Sequence, residues 1–169
     1  MQQDWTSFTK SITIKTTCEK IYYAFATRSG MESWFLRSSN YKKSTGISIA
    51  PDELANEGDQ YSWLWFGYED DTVENGTILK ANGKDLFEFT FNSNGKNNMI
   101  VKISFAKEEG EWRVNLYQYN IPTDDESKAW YYVGCGEGWT FYLANLKSIL
   151  EGGIDLRNKN EQIKRVINS

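Results

Sequence analysis

The sequence predicts an α+β fold in which a curved antiparallel sheet of six to seven strands wraps around one long C-terminal helix. Three observations predict it: short alternating apolar runs in the middle of the chain, two helical segments directly after the first run, and an apolar stripe at helical spacing near the end. The length of 169 residues suits one domain. We therefore predict a single domain over 1–169, with flexible or peripheral ends at 1–6 and 155–169.

The chain begins with one strand and two short helices. Residues 7–16, SFTKSITIKT, place Phe8, Ile12 and Ile14 on one side, which is typical of a half-buried strand. Thr17 is a good N-cap for the segment that follows, and apolar residues recur there at helical spacing, so we predict a helix over 18–26. SGMESWFL predicts a second short helix that ends in a Trp-Phe pair.

The middle of the chain predicts a run of hairpins. One short strand is expected around Tyr41, and five longer alternating runs follow: QYSWLWFGY, ENGTILKA, DLFEFTF, NMIVKISFA and EWRVNLYQYN. The polar clusters between them, including ANGKD, NSNGKNN and KEEGE, are typical of tight turns. Consecutive hairpins of this kind form an antiparallel meander.

The last element predicts one long helix. Thr123 and Glu126 have the spacing of a capping box, and Gly152-Gly153 ends the pattern. The apolar stripe consists of Trp139, Leu143, Leu146 and Leu150. A continuous helix of about 28 residues would be ~42 Å long, enough to cross a seven-stranded sheet of about 30 Å.

Three glycines, Gly134, Gly136 and Gly138, weaken this helix where its apolar face begins, because each costs about 1 kcal/mol relative to alanine. They would let the helix approach the sheet, or leave a space bordered by Trp130, Trp139 and the aromatic residues of the sheet. In a third interpretation they divide the segment into two helices joined by a turn.

Composition excludes several function classes. The net charge of −4 and the pI of about 5.0 give no basic surface for nucleic acid. The chain has no histidine, so triads and zinc sites that need one are excluded, and we expect no metal and no cofactor. No apolar run reaches 18 residues, and the first ten residues do not resemble a signal peptide. We therefore expect no membrane span, a cytoplasmic protein, and reduced thiols at Cys18 and Cys135.

Two polar segments are better explained by solvent exposure than by ligand binding. The acidic run YEDDTVENG at 68–76 lacks the spacing of a calcium loop and predicts a solvated hairpin turn. The mixed-charge segment DLRNKNEQIKR near the C-terminus predicts a solvated terminus rather than a phosphate site.

Two segments resemble a known family. ITIKTTCEKIYYAFAT with GMESWF, and GWTFYLANLKSILEGG, resemble the opening and closing segments of the START-like (SRPBCC) superfamily, in its AHSA-type branch related to the heat-shock-chaperone ATPase activator. This resemblance implies the helix-grip fold, with a cavity between sheet and helix. It also implies that the protein binds lipids, hormones or polyketides, acts on such molecules, or assists chaperones.

Two function hypotheses follow, with an enzyme ranked third. The first hypothesis is a non-enzymatic binding protein that holds a small hydrophobic ligand in a cavity between the sheet and the C-terminal helix. Its predicted site comprises Trp34, Trp63, Trp65, Phe89, Gln118, Glu137, Trp139 and Tyr142. For the tryptophans the alternative is ordinary core packing, and for Glu137 it is exposure. The second hypothesis is an interaction module with a chaperone as partner, although this chain has no room for a separate partner-binding domain. A cyclase-like enzyme ranks third, because no acid–base pair is evident.

Overall fold

The computed structural model describes residues 3–91, 98–164 and 166–168. Its strands are β1 (Phe8–Ile14), β2 (Ser38–Lys42), β3 (Gln60–Leu64), β4 (Glu74–Ala81), β5 (Leu86–Thr90), β6 (Ile100–Glu108) and β7 (Glu111–Tyr119). Its helices are α1 (Cys18–Ala26), α2 (Arg28–Trp34), α3 (Asp125–Ser127), a π-helical segment (Lys128–Gly134) and α4 (Cys135–Leu150). The predicted α+β order is confirmed.

The seven strands form one antiparallel sheet in the order β1-β7-β6-β5-β4-β3-β2. Strands β2 to β7 are neighbours in chain order, so the predicted meander is confirmed. The first strand joins the far edge by pairing with the last, with Ile12 opposite Val114. The predicted turn NSNGKNN falls on 92–98, and 92–97 lie outside the described residues.

The short helices α1 and α2 are joined through one residue, Thr27. It ends α1, and its side-chain hydroxyl accepts a hydrogen bond from the Gly30 amide at 2.9 Å, which caps the start of α2. Gly30 then lies against the backbone of α1, beside the Tyr23 carbonyl oxygen. Trp34 at the end of α2 is buried, and its indole N–H donates to the Ala24 carbonyl at 2.9 Å. The Trp-Phe pair is thereby fixed over the sheet.

The C-terminal helix extends over 125–150 without a break, but its cap and its first turns differ from the prediction. Asp124 rather than Thr123 is the N-cap, and its carboxylate accepts from the Ser127 amide at 2.9 Å. The predicted cap was therefore wrong by one residue, because Asp and Thr are both good N-caps and the pattern does not separate neighbours. At the end of the π-helical segment the Cys135 amide donates to the carbonyl of Trp130, five residues earlier.

The glycine-rich stretch is helical throughout. Gly134 has helical dihedral angles, φ −61° and ψ −47°, and α4 begins directly after it. The interpretation as two helices joined by a turn is therefore wrong. The apolar stripe faces the core as predicted, with Leu143 and Leu146 buried.

Candidate functional site

The concave face of the sheet and the C-terminal helix meet at a group of aromatic rings centred on Phe35. Its ring stacks on Trp139 of α4 at a centroid distance of 4.9 Å and an interplanar angle of 24°. It also contacts Trp63, Trp65 and Tyr142 at 6.0, 5.5 and 4.8 Å. We call the following residues the aromatic cluster: Trp34, Phe35, Trp63, Trp65, Phe89, Phe91, Trp139 and Tyr142.

Solvent reaches this cluster at its margin. Phe35, Trp63 and Trp139 are buried, whereas Trp65 and Phe91 are half-buried. Trp65 contacts Phe35, and Phe91 contacts Trp139 at 5.8 Å, so each half-buried ring touches one member of the central stack. Trp65 and Phe91 therefore form the solvent-facing margin of the cluster.

One amide lies among these rings. Gln118 of β7 is completely buried, and its Oε1 accepts a hydrogen bond from the Trp139 indole N–H at 2.9 Å. Its Nε2 points to the Met99 sulfur at 3.8 Å, which is a weak acceptor. The amide fixes the position of Trp139 and also brings a polar group into an otherwise apolar interior.

Seven of the eight predicted site residues lie together. Trp34, Trp63, Trp65, Phe89, Gln118, Trp139 and Tyr142 are joined by the ring contacts and the hydrogen bond described above, and all are buried except half-buried Trp65. The eighth, Glu137, is exposed on α4. Their part in ligand binding stays a prediction.

Three residues of this region have no role predicted from the sequence. Phe35 was seen only as the end of α2, although its position after Trp34 in a Trp-Phe pair was the available signal. Glu74 was expected in a solvated turn, but it is only 2% exposed. The expectation of a solvated turn is wrong for Glu74. This residue is the first of β4, and its side chain is buried on the same face of the strand as Ile78.

The third residue is Cys135 on α4. Burial raises the pKa of its thiol to about 11, and the negative charge of Glu74 contributes to the rise. Cys18 lies far from it at the start of α1, and both cysteines are free thiols, as predicted. A protonated thiol is a poor nucleophile, and the Cys135 side chain packs against the buried core.

The three glycines have different surroundings. Gly136 is buried over the aliphatic chain of Lys10, where a Cβ would lie 3.6 Å from Cε. Gly134 is exposed, and a Cβ on Gly138 would have no atom within 4 Å. Gly138 precedes Tyr142 by one turn on the same side of α4, so it leaves open space beside the aromatic cluster. Trp130 does not border that space as expected, because it is 69% exposed.

The C-terminal segment is held by one buried arginine. Arg157 is 6% exposed and donates hydrogen bonds to the carbonyls of Glu32, Ser33 and Leu36 at the end of α2, at 2.8 to 3.0 Å. It also pairs with Asp155 at 2.7 Å. Because these carbonyls lie within three residues of Phe35 along the chain, Arg157 stabilises the segment that holds Phe35 in the aromatic cluster.

A polar surface pocket lies next to this segment. Its volume is about 260 Å³, and it is lined by Arg37, Gly67, Tyr68, Glu69, Asp70, Glu161 and Lys164. Ion pairs join Arg37 to Asp70 at 2.6 Å and Lys164 to Glu69 at 2.5 Å. The charged lining of this surface pocket does not suit an apolar ligand.

Within 3–91, 98–164 and 166–168, no group of acidic, cysteine or histidine side chains could hold a metal ion. Over the same part of the chain, no helix is long and apolar enough to cross a membrane.

The sheet, the long helix and the enclosed aromatic cluster together define the helix-grip fold of the START-like superfamily. Residues 15–151 match the family described as "Activator of Hsp90 ATPase homolog 1-like protein". The chain belongs to this family, as its two end segments indicated.

Solved structures share the fold at low sequence identity. A protein from Staphylococcus saprophyticus is 20% identical with a TM-score of 0.67, covering 89% of this chain and 96% of the other. The Aha1 dimer from Colwellia psychrerythraea is 18% identical with a TM-score of 0.66, covering 87% and 97%. An HSP90 activator from Plasmodium falciparum is 17% identical with a TM-score of 0.61, covering 86% and 96%. A search of curated proteins found no match.

Proposed function

We propose that this domain binds a small hydrophobic molecule between the sheet and the C-terminal helix. The observation that carries the proposal is the aromatic cluster, in which rings on or directly after α2, β3 and β5 lie together with rings of α4, and two of these rings stay half-buried. Aromatic faces at an accessible margin favour a flat apolar ligand. The open space at Gly138 provides room on the helix side.

The expected affinity is modest. A flat ligand that buries about 400 Å² of apolar surface gains roughly 10 kcal/mol, and an association cost of about 4 kcal/mol leaves roughly 6 kcal/mol. We therefore expect dissociation constants of about 100 μM or below for suitable sterols, fatty acids or aromatic polyketides.

Replacing Gly138 with leucine is expected to abolish this binding while the domain stays folded. The new side chain meets no atom at its Cβ and would occupy the space beside Tyr142. Titration of intrinsic tryptophan fluorescence with each compound measures the effect, and thermal unfolding checks the fold. Gly136→Ala is the matched control, because it adds a small side chain over Lys10 on the other side of α4. Unchanged binding in Gly138→Leu, or no response of the wild type to any compound, would contradict the proposal.

A second candidate function is an interaction with a chaperone of the Hsp90 type. Two observations favour it: membership of the activator family, and an exposed apolar surface on the π-helical segment. That surface is formed by Trp130, 69% exposed, and Val133, 45% exposed, with acidic Asp124, Asp125 and Glu126 before it. Exposed apolar side chains beside charged ones are typical of protein contact surfaces.

If this surface binds the chaperone, Trp130→Ser should reduce stimulation of the ATPase rate of Hsp90 by about tenfold, as expected when an aromatic anchor is lost. The measurement is a steady-state ATPase assay with increasing amounts of the domain. Ile47→Ser, which removes a 63%-exposed apolar side chain from a loop, is the control. An ATPase rate that does not respond to the wild-type domain would refute this function. Equal stimulation by the wild type and both variants would show that the surface with Trp130 and Val133 does not bind the chaperone.

A further inference from the structure

The loop between β3 and β4, residues 65–73, lies beside the aromatic cluster. Its first residue, Trp65, contacts the Phe35 ring at 5.5 Å. Further along the loop, Tyr68 is close to Tyr142 of α4: burial raises the pKa of Tyr142, and Tyr68 contributes to the rise. The loop is therefore next to two rings of the cluster, one held by α2 and one by α4.

The start of this loop is held in place, and a glycine follows it. The Phe66 ring lies under the guanidinium group of Arg157, whose Cζ is 5.4 Å from the ring centroid. Gly67 has a φ of +76°, a left-handed conformation that glycine adopts without steric cost. We call residues 67–72 the flap, because Gly67 is the point at which they can turn relative to the held part of the loop.

Over the residues that the structure describes, two ion pairs join the flap to other segments. Asp70 pairs with Arg37, directly before β2, at 2.6 Å, and Glu69 pairs with Lys164 near the C-terminus at 2.5 Å. Both carboxylates are largely exposed. Ion pairs of exposed groups are weak, so these two can break while the domain stays folded.

The flap also has room to move. The polar surface pocket of about 260 Å³ lies between it and the C-terminal segment, because the lining comes from residues 67–70 on one side and from Glu161 and Lys164 on the other. The Phe35 ring at the centre of the cluster is buried. A ligand can therefore stack on Phe35 only after a neighbouring segment has moved.

We propose that the flap is the gate through which the hydrophobic ligand enters, and that the ion pairs with Arg37 and Lys164 hold this gate closed. When they break, residues 67–72 turn about Gly67 and uncover the side of the cluster at Tyr142. The inference rests on the proposed binding function and adds how its ligand enters. The rate of ligand association then follows the fraction of molecules whose flap is open.

The test breaks one ion pair and restores it with its charges exchanged. In Glu69→Lys the attraction to Lys164 becomes a repulsion, and the backbone amides of the flap should exchange with deuterium about fivefold faster, as measured by mass spectrometry. Adding Lys164→Glu to this variant should return exchange to the rate of the wild type. The association rate of the uncharged dye phenylnaphthylamine with the full chain, followed by stopped-flow fluorescence, should rise and fall by the same factors.

The matched control is Glu57→Lys, which makes the same change of charge on an exposed residue of another loop and should alter neither rate. If Glu69→Lys does not fold, Glu69→Gln gives the same comparison with a smaller expected change of about twofold. Flap exchange that stays at the rate of the wild type, or that rises equally in the control, would overturn the inference. Faster flap exchange with unchanged dye association would overturn the gate and leave the binding function standing. A dye that binds to none of the proteins would count against the binding function and the gate together.

Discussion

Replacing Gly30 with alanine is expected to destabilise the domain by about 3 kcal/mol or more, because the new methyl group meets backbone rather than a movable side chain. A Cβ on Gly30 would lie 2.1 Å from the Tyr23 carbonyl oxygen and 2.8 Å from the Cα of Ala24. Helices α1 and α2 would have to separate, and the hydrogen bond from the Gly30 amide to Thr27 would be strained. The loss in the free energy of unfolding is measured by urea titration, with tryptophan fluorescence as the probe.

The matched control is the same substitution at Gly138, where a Cβ meets no atom within 4 Å. Alanine there should stabilise the domain by roughly 0.5–1 kcal/mol through its higher helix propensity. A Gly30→Ala variant as stable as the wild type would show that α1 and α2 are not packed as closely as described.

The second large effect is expected for Arg157→Met, which should cost about 3–5 kcal/mol, the range for removing one partner of a buried ion pair. The change keeps an apolar chain of similar length but removes the Arg157 guanidinium from Asp155, which keeps Lys159, and from three carbonyls at the end of α2. The control is Arg113→Met. Arg113 pairs with Glu108 at the exposed hairpin between β6 and β7, and its loss should cost about 1 kcal/mol or less. Similar costs for the two variants would contradict the anchoring role of Arg157.

The effect of Arg157 should depend on pH. Burial by itself would raise the pKa of Asp155, but hydrogen bonds from Arg157 and Lys159 outweigh it and hold that pKa well below its usual value. A carboxyl group with a depressed pKa stabilises the fold above its unfolded pKa of about 4, and this contribution is lost as the pH falls through the acid range. The difference in the free energy of unfolding between the wild type and Arg157→Met, measured by urea titration, should therefore be larger at pH 7 than at pH 3. A constant difference would exclude Asp155 as a contributor.

The amino-acid sequence determined the elements and their order. Alternation in segments such as DLFEFTF and EWRVNLYQYN placed β5 and β7, and the Thr17 cap placed the start of α1 at Cys18. Strands and helix starts depend on contacts between residues a few positions apart, so the local sequence pattern is enough to predict them. The same patterns identified seven of the residues now found together at the site.

Only the tertiary structure decided which polar residues are buried and which aromatic residue lies at the centre. Glu74 belongs to an acidic run and Arg157 to a mixed-charge one, yet both are buried because strand register and the return of the chain to α2 place them inside. Phe35 contacts Trp139 across 104 residues of sequence, and the Gln118 amide fixes that tryptophan from another strand. No short-range pattern encodes such contacts, because they arise when distant segments pack, and burial of a charge is tolerated only where packing brings its partners.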